Sequence, residues 1–198
     1  LPALRGLASV FSSREGLWAE SGALDGDALL RGISSATRLG AKRLKMAIGG
    51  FRVASSHGSL RELDALLADT GIELLIENDQ TERAGTLPAL QAFFEAADSA
   101  GLALGMTFDM GNWHWLGECP LQAAKARGHR VRSVAWKGAQ RLAHKWVAVP
   151  MGESAAPWRA VLRELPAHVP HAIEYPLVGD DLLAVTRTQI DFIRAARA

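Results

Sequence analysis

The sequence predicts an α/β fold built on a parallel sheet. Three observations carry that reading. Short apolar runs alternate with longer stretches of helical apolar spacing, and parallel neighbours need such crossovers. Glycine closes several of the helical stretches, as at Gly40, Gly71 and Gly101. No Ser/Gly-rich linker or low-complexity stretch interrupts the 198 residues, so a single domain over 1–198 is expected.

Each element follows from its residues. Leu7-Ala8-Ser9-Val10-Phe11 is an apolar run that stops at Ser12-Ser13 and reads as a buried strand. A helix follows from Asp25 to Leu39, with Leu29, Ile33 and Ala36 on one face. Arg43 to Ile48 reads as a strand closed by Gly49-Gly50. Ser59 opens the next helix, where Ser59 and Glu62 have capping-box spacing and Leu60, Leu63 and Leu67 form the apolar stripe. Ile72 to Ile76 is a strand. Thr86 caps a helix with Pro88 in its first turn and Leu90, Phe94 and Ala97 facing inward. Leu102 to Phe108 is a strand, about Leu121 to Arg127 a helix, and Val131 to Trp136 a strand. Lys145 to Val149 is a shorter extended piece, Trp158 to Leu165 a helix, Ala172-Ile173 a brief strand, and Asp181 to Ala196 the last helix. Strands followed by a crossover helix number six.

Composition excludes several function classes. Hydrophobic residues make up 48% and charged residues 22%, values of an ordinary globular chain rather than a disordered one. A net charge of +1 supplies no general attraction to nucleic acid or anionic lipid. No apolar run approaches the ~20 residues of a membrane helix. Cys119 is the only cysteine, which excludes an internal disulfide and a multi-cysteine zinc site and suits a reducing, cytoplasmic setting. Walker, G-x-G-x-x-G and G-x-S-x-G patterns are absent.

The chemistry lies at the strand ends. Ligands of parallel α/β folds bind beyond the C-terminal ends of the strands. Three strands here run into a carboxylate: Glu77 in Glu77-Asn78-Asp79-Gln80, Asp109 in Asp109-Met110-Gly111-Asn112, and Glu174 in Glu174-Tyr175-Pro176. A carboxylate among apolar strand residues is costly unless it is paired or bound to a cation. One such acid reads as a cap of the following turn. Three at equivalent positions point to a divalent metal that relieves their repulsion. Lys45 lies mid-strand, where apolar neighbours drive it toward a polar mouth or outward to solvent.

Leu75-Ile76-Glu77-Asn78, Phe108-Asp109-Met110-Gly111-Asn112-Trp113, Val149-Pro150-Met151-Gly152-Glu153 and Ile173-Glu174-Tyr175-Pro176 resemble, in order and spacing, the xylose isomerase-like TIM-barrel superfamily. That group includes sugar-phosphate isomerases and epimerases, with endonuclease IV as a relative. The resemblance runs from Leu7 to the C-terminus. It implies a TIM (β/α)8-type barrel and places Glu77, Asp109 and Glu174 at three of four ligand positions for a divalent metal. Mn or Mg is expected there, with Co or Zn open. It also implies that Glu77 and Glu174 act as acid and base on opposite faces of a sugar.

The fourth ligand position departs from the pattern. Where the family carries His-x-Lys-Asp, this chain reads Ala135-Trp136-Lys137-Gly138. Alanine cannot ligate a metal. Three readings stay open: water fills the position in an all-oxygen site, His114 or His144 substitutes, or the site has lost its catalysis. Lys137 is retained, either to face an anionic substrate group or enolate or as a solvated strand-end lysine. Asn78 and Asn112 either bind substrate hydroxyls or orient the carboxylates. His114, five residues past Asp109 and read as part of a loop, reaches the mouth or packs between its tryptophans. Trp113, Trp115, Trp136 and Trp146 stack on a sugar or form a lid.

Two functions from different classes follow. One is a metal-dependent isomerase or epimerase of a sugar, sugar acid or sugar phosphate. It would act by α-proton abstraction through an enediolate, with Lys45, Asn78, Asn112, His114 and Lys137 on the substrate. The other is a non-catalytic barrel that binds a sugar-like ligand, its metal site weakened at Ala135. The partner is a small molecule in either case, not nucleic acid or a membrane. A (β/α)8 barrel needs about 250 residues, roughly 31 per unit. On that arithmetic 198 residues correspond to six units, and the first strand corresponds to the family's third. The chain also starts Leu1-Pro2-Ala3, without an initiator Met. An N-terminally incomplete barrel is therefore expected, or one whose gap is closed by a partner, a second copy included.

Overall fold

The computed structural model describes residues 8–197. Its strands are β1 (Val10–Trp18), β2 (Arg43–Gly49), β3 (Glu73–Glu77), β4 (Gly105–Asp109), β5 (Val131–Trp136), β6 (Gly138–Leu142), β7 (Lys145–Val149) and β8 (His171–Ile173). Its helices are α1 (Gly26–Leu39), α2 (Val53–Ser56), α3 (Leu60–Leu67), α4 (Glu82–Gly85), α5 (Leu87–Ser99), α6 (Met110–Trp115), α7 (Pro120–Arg127), α8 (Trp158–Glu164) and α9 (Leu182–Ala195). Six parallel strands form one sheet in the order β1-β2-β3-β4-β5-β8, while β6 and β7 form a separate antiparallel hairpin. The chain divides into two compact units, Leu1–Met106 and Thr107–Ala198. Among the described residues no helix is long and apolar enough to cross a membrane.

In the first unit, Asp25 caps α1 by accepting from Ala28 N at 2.8 Å. Gly40 ends the helix with φ 71°, and its N–H closes onto the carbonyls of Ala36 and Thr37. That left-handed conformation favours glycine. The apolar stripe of α1 buries Ala28, Leu29 and Ala36, and β2 buries Leu44, Met46 and Ile48. Trp18, Phe51 and Phe93 meet edge to face with centroids 4.9–5.6 Å apart, a geometry that adds to their burial. In the second unit Phe108 packs on Trp113 and Trp158 on Phe192.

Four expectations are corrected. The first strand is Val10–Trp18, not Leu7–Phe11; Leu7 lies outside the described residues. Ser12-Ser13 reads as a stop, yet the strand continues past it through a register irregularity between Ser12 and Gly16. The Ser59–Glu62 capping box does not form. Ser59 Oγ instead donates to the Ser56 carbonyl and accepts from Trp18 Nε1, and the chain enters α3 through a 3-10 turn over His57–Ser59. Thr86 holds the cap position of α5, but its hydroxyl donates to the Glu82 carbonyl rather than capping. The stretch after Asp109, read as a loop, is helix α6.

Candidate metal and proton-transfer site

In the first unit, β2 and β3 pair in parallel with Lys45 opposite Leu75. Glu77 is two residues further on and so on the same face as Leu75. The Lys45 ammonium reaches Glu77 Oε1 at 2.6 Å, with both side chains largely buried. Asn78, next in the chain, is fully buried. Asp79 is a turn residue: its Oδ1 accepts from both the N–H and the hydroxyl of Thr81, which in turn caps α4. The ends of β1 and β2, with Asp79, Thr81 and Arg83, border an open cleft of about 860 Å³. His57 is exposed.

The second unit holds the denser arrangement. Asp109 is the last residue of β4 and is fully buried. Its Oδ1 accepts from Asn112 N at 2.9 Å, capping α6, which leaves Oδ2 to the Lys137 ammonium at 2.7 Å. The same ammonium lies 3.4 Å from Glu174 Oε1. Glu174 follows β8, fixed against β5 by its N–H to the Trp136 carbonyl. Carboxylate oxygens of Asp109 and Glu174 lie within 4.8 Å of each other. Burial holds the Asp109 carboxyl above its ordinary value; the Lys137 charge pulls it down, and the Glu174 charge adds to the upward push.

Lys137 is placed by close packing. A Cβ on Gly111 of α6 would stand 2.5 Å from the Lys137 carbonyl oxygen and 3.0 Å from its Cγ. A Cβ on Gly138 would run into the Val149 carbonyl of the hairpin. Period-two alternation puts Ala135 on the same face of β5 as Lys137, and Trp136 on the other. Trp136 accordingly points away from the acids and donates from Nε1 to His171 Nδ1 at 2.9 Å. It also lines the cavity of about 560 Å³ walled by Leu162, Val169, His171 and Ile190, which has no carboxylate in its lining.

Among the described residues the metal-competent acids are joined by no imidazole. His114 sits on α6 with its ring edge-on to Trp146 at 5.3 Å, and burial lowers its pKa. His144 is exposed in the turn between β6 and β7. Trp115 stacks on Trp146 at 6.1 Å, so the aromatic group is α6 packed on the hairpin. Asn112 is buried, and its backbone N–H serves the Asp109 cap. Sequence reading missed the part played by Gly111 and Gly138. The signal was available only as glycines flanking strand-end residues.

The donors are oxygens alone, which suits a hard divalent cation such as Mg²⁺ or Mn²⁺. Metal–oxygen distances of about 2.0–2.6 Å let one ion reach two oxygens as far apart as those of Asp109 and Glu174. Two carboxylates gathered at one ammonium present oxygens to which a further cation could bind.

No protein-family model and no curated protein matches the sequence. Solved structures do. A D-tagatose 3-epimerase-like protein is 14% identical, with 99% of this chain and 82% of that chain covered and a TM-score of 0.69. An L-ribulose 3-epimerase is 14% identical over 97% of this chain and 75% of that chain, with a TM-score of 0.69. The IOLI protein, whose structure carries a zinc atom, is 12% identical over 87% and 70%, with a TM-score of 0.65. The likeness is one of fold: the chain has the xylose isomerase-like TIM-barrel fold, with six of its parallel strands.

Proposed function

We propose that this chain is a divalent-metal-dependent isomerase or epimerase of a sugar, a sugar acid or a sugar phosphate. The observation that carries the reading is the Asp109–Lys137–Glu174 cluster at the ends of β4, β5 and β8. Two carboxylates there meet one ammonium and present their oxygens together. Ketose epimerases among the solved structures of the same fold, and the zinc atom of the IOLI structure, support the same class.

On the family resemblance, Glu77, Asp109 and Glu174 would be the oxygen donors to Mn²⁺ or Mg²⁺. When bound, such an ion polarises a substrate carbonyl and acidifies the adjacent C–H. Glu77 would take that proton, giving an enediolate, and Glu174, entering protonated, would give its own proton to the opposite face; the carbon is inverted, and exchange with water resets both carboxyl groups. Asp109 has no proton-transfer role, because its Oδ1 is committed to the α6 cap. Lys45 orients Glu77, and Asn78, Asn112 and His114 meet the substrate.

Solvent exchange tests the reading. Protein loaded with Mn²⁺ and given a panel of ketopentoses and ketohexoses, with and without a terminal phosphate, in D₂O should incorporate deuterium at the inverted carbon. Glu174→Gln should abolish incorporation with unchanged circular dichroism. Absence of exchange across the panel in protein shown to hold metal would overturn the proposal.

A further inference from the structure

We infer that Lys137 is a built-in competing cation that sets the divalent-metal affinity of the site. The inference rests on the metal reading above and specifies how the chain regulates it. The Lys137 ammonium lies 2.7 Å from Asp109 Oδ2 and 3.4 Å from Glu174 Oε1, and is therefore placed on oxygens of two of the three proposed ligands. It is about nine-tenths buried, and Asp109 is wholly so. Its charge is therefore weakly screened.

The root of the lysine is held in place. Its main chain and the base of its side chain pack against Gly111, where even a methyl group would collide. The following residue, Gly138, is packed just as closely on the hairpin. Asp109 is fixed as well, since its other oxygen caps α6. An incoming divalent ion must displace the ammonium from these oxygens or bind beside it. In both cases it meets a positive charge a few ångströms away. Ala135, on the same face of β5, offers no donor to the ion. The resident ammonium lowers the site's affinity for metal, so that it fills only when the free ion is abundant.

Calorimetric titration of MnCl₂ into EDTA-stripped protein tests this without reference to turnover. Lys137→Gln should bind Mn²⁺ about tenfold more tightly than the wild type or better, the size expected for removing one nearby like charge. Lys137→Arg, which keeps the charge, should stay within about threefold of the wild type on the same Coulomb argument. If the wild type binds Mn²⁺ and Lys137→Gln binds it equally or more weakly, the inference falls while the metal-dependent function stands. If no variant binds Mn²⁺, the functional proposal itself falls and takes this inference with it. Should metal-free Lys137→Gln be unfolded, the readout becomes the Mn²⁺ concentration that restores its far-UV circular dichroism. Recovery below the wild-type Kd supports the inference, and failure to recover overturns it.

Discussion

Glu77 in the first unit meets Lys45, whereas Asp109 and Glu174 in the second both meet Lys137. The two solutions look alike in sequence, a lysine within a strand and an acid at a strand end, but they differ in burial. Lys45 reaches Glu77 at 2.6 Å between side chains of similar, low exposure. Lys137 bridges a fully buried Asp109 and a Glu174 that is 41% exposed. A charge on a fully buried acid depends on its ammonium more than one that water can screen. The contrast shows why counting acids at strand ends is not sufficient; the depth at which each is held decides what its lysine contributes.

The sharpest way to break the comparison is to remove each lysine. Lys137→Met leaves Asp109 with a buried charge and should cost about 3–5 kcal/mol at pH 7. Lys45→Met strips the ammonium from Glu77, which at 14% exposure is less buried than Asp109, so its cost should fall below that range. Urea midpoints at unchanged m report both, and equal losses would erase the distinction. Next in size, Asp109→Asn should weaken Mn²⁺ binding beyond the roughly 10–100-fold that loss of an outer partner costs. Asn112→Ala, a residue that serves the site through its backbone N–H, should stay inside that range. Calorimetry separates the two.

Much of this was readable in the sequence, for identifiable reasons. Val131–Trp136 and the course of α1 follow from apolar periodicity and from caps at Asp25 and Gly40. The three acids stand out because a carboxylate ending an apolar run is costly. The hairpin partner β6 was not legible: Gly-Ala-Gln-Arg-Leu has no alternation, and its turn relies on a positive φ at Ala143, a residue type that gives no such signal. Helix α6 was hidden for a related reason. It has six residues, and its N-cap is Asp109, whose other oxygen pairs with Lys137. The reading of a strand-end acid as either a cap or a metal candidate set up an alternative that Asp109 does not obey, because its two oxygens are used separately. That Lys45 reaches Glu77 while Lys137 reaches both Asp109 and Glu174 depends on register and close packing, which residue types alone do not specify.

Packing offers a smaller perturbation that keeps every charge. Gly111→Ala adds one methyl group against the Lys137 carbonyl and stem. Overpacking of that kind costs about 1–3 kcal/mol. Because the methyl pushes Lys137, the change should also alter Mn²⁺ affinity. Gly58→Ala in the first unit, where an added Cβ meets nothing within 4 Å, should leave affinity untouched. A Gly111→Ala protein with wild-type stability and wild-type Mn²⁺ binding would show that Lys137 is not held by this contact.

The smallest expected effect is a pH dependence within the second unit. Shifts are resolved there at Asp109, His114, His171 and Tyr175. His171 is the clearest to test, since it lies away from the acids. Trp136 Nε1 donates to its Nδ1, so the ring proton sits on Nε2 and faces the Pro166 carbonyl at 3.3 Å. Burial lowers its folded pKa, the Pro166 contact opposes this, and the Arg197 charge lowers it further. A proton added at Nδ1 would confront the Trp136 N–H. The unfolded chain therefore binds this proton more readily than the folded one. The stability contributed by neutral His171 is complete above the unfolded value of about 6.5 and is lost as pH falls from there toward the lowered folded value. The slope is at most about 1.4 kcal/mol per pH unit for one proton. His171→Asn keeps an acceptor for Trp136 and removes the titration. Urea unfolding of the two proteins between pH 7.5 and pH 5, roughly one unit above to one and a half below that value, should show the wild type losing stability faster. Parallel curves would assign the acid sensitivity of the second unit to its other groups instead.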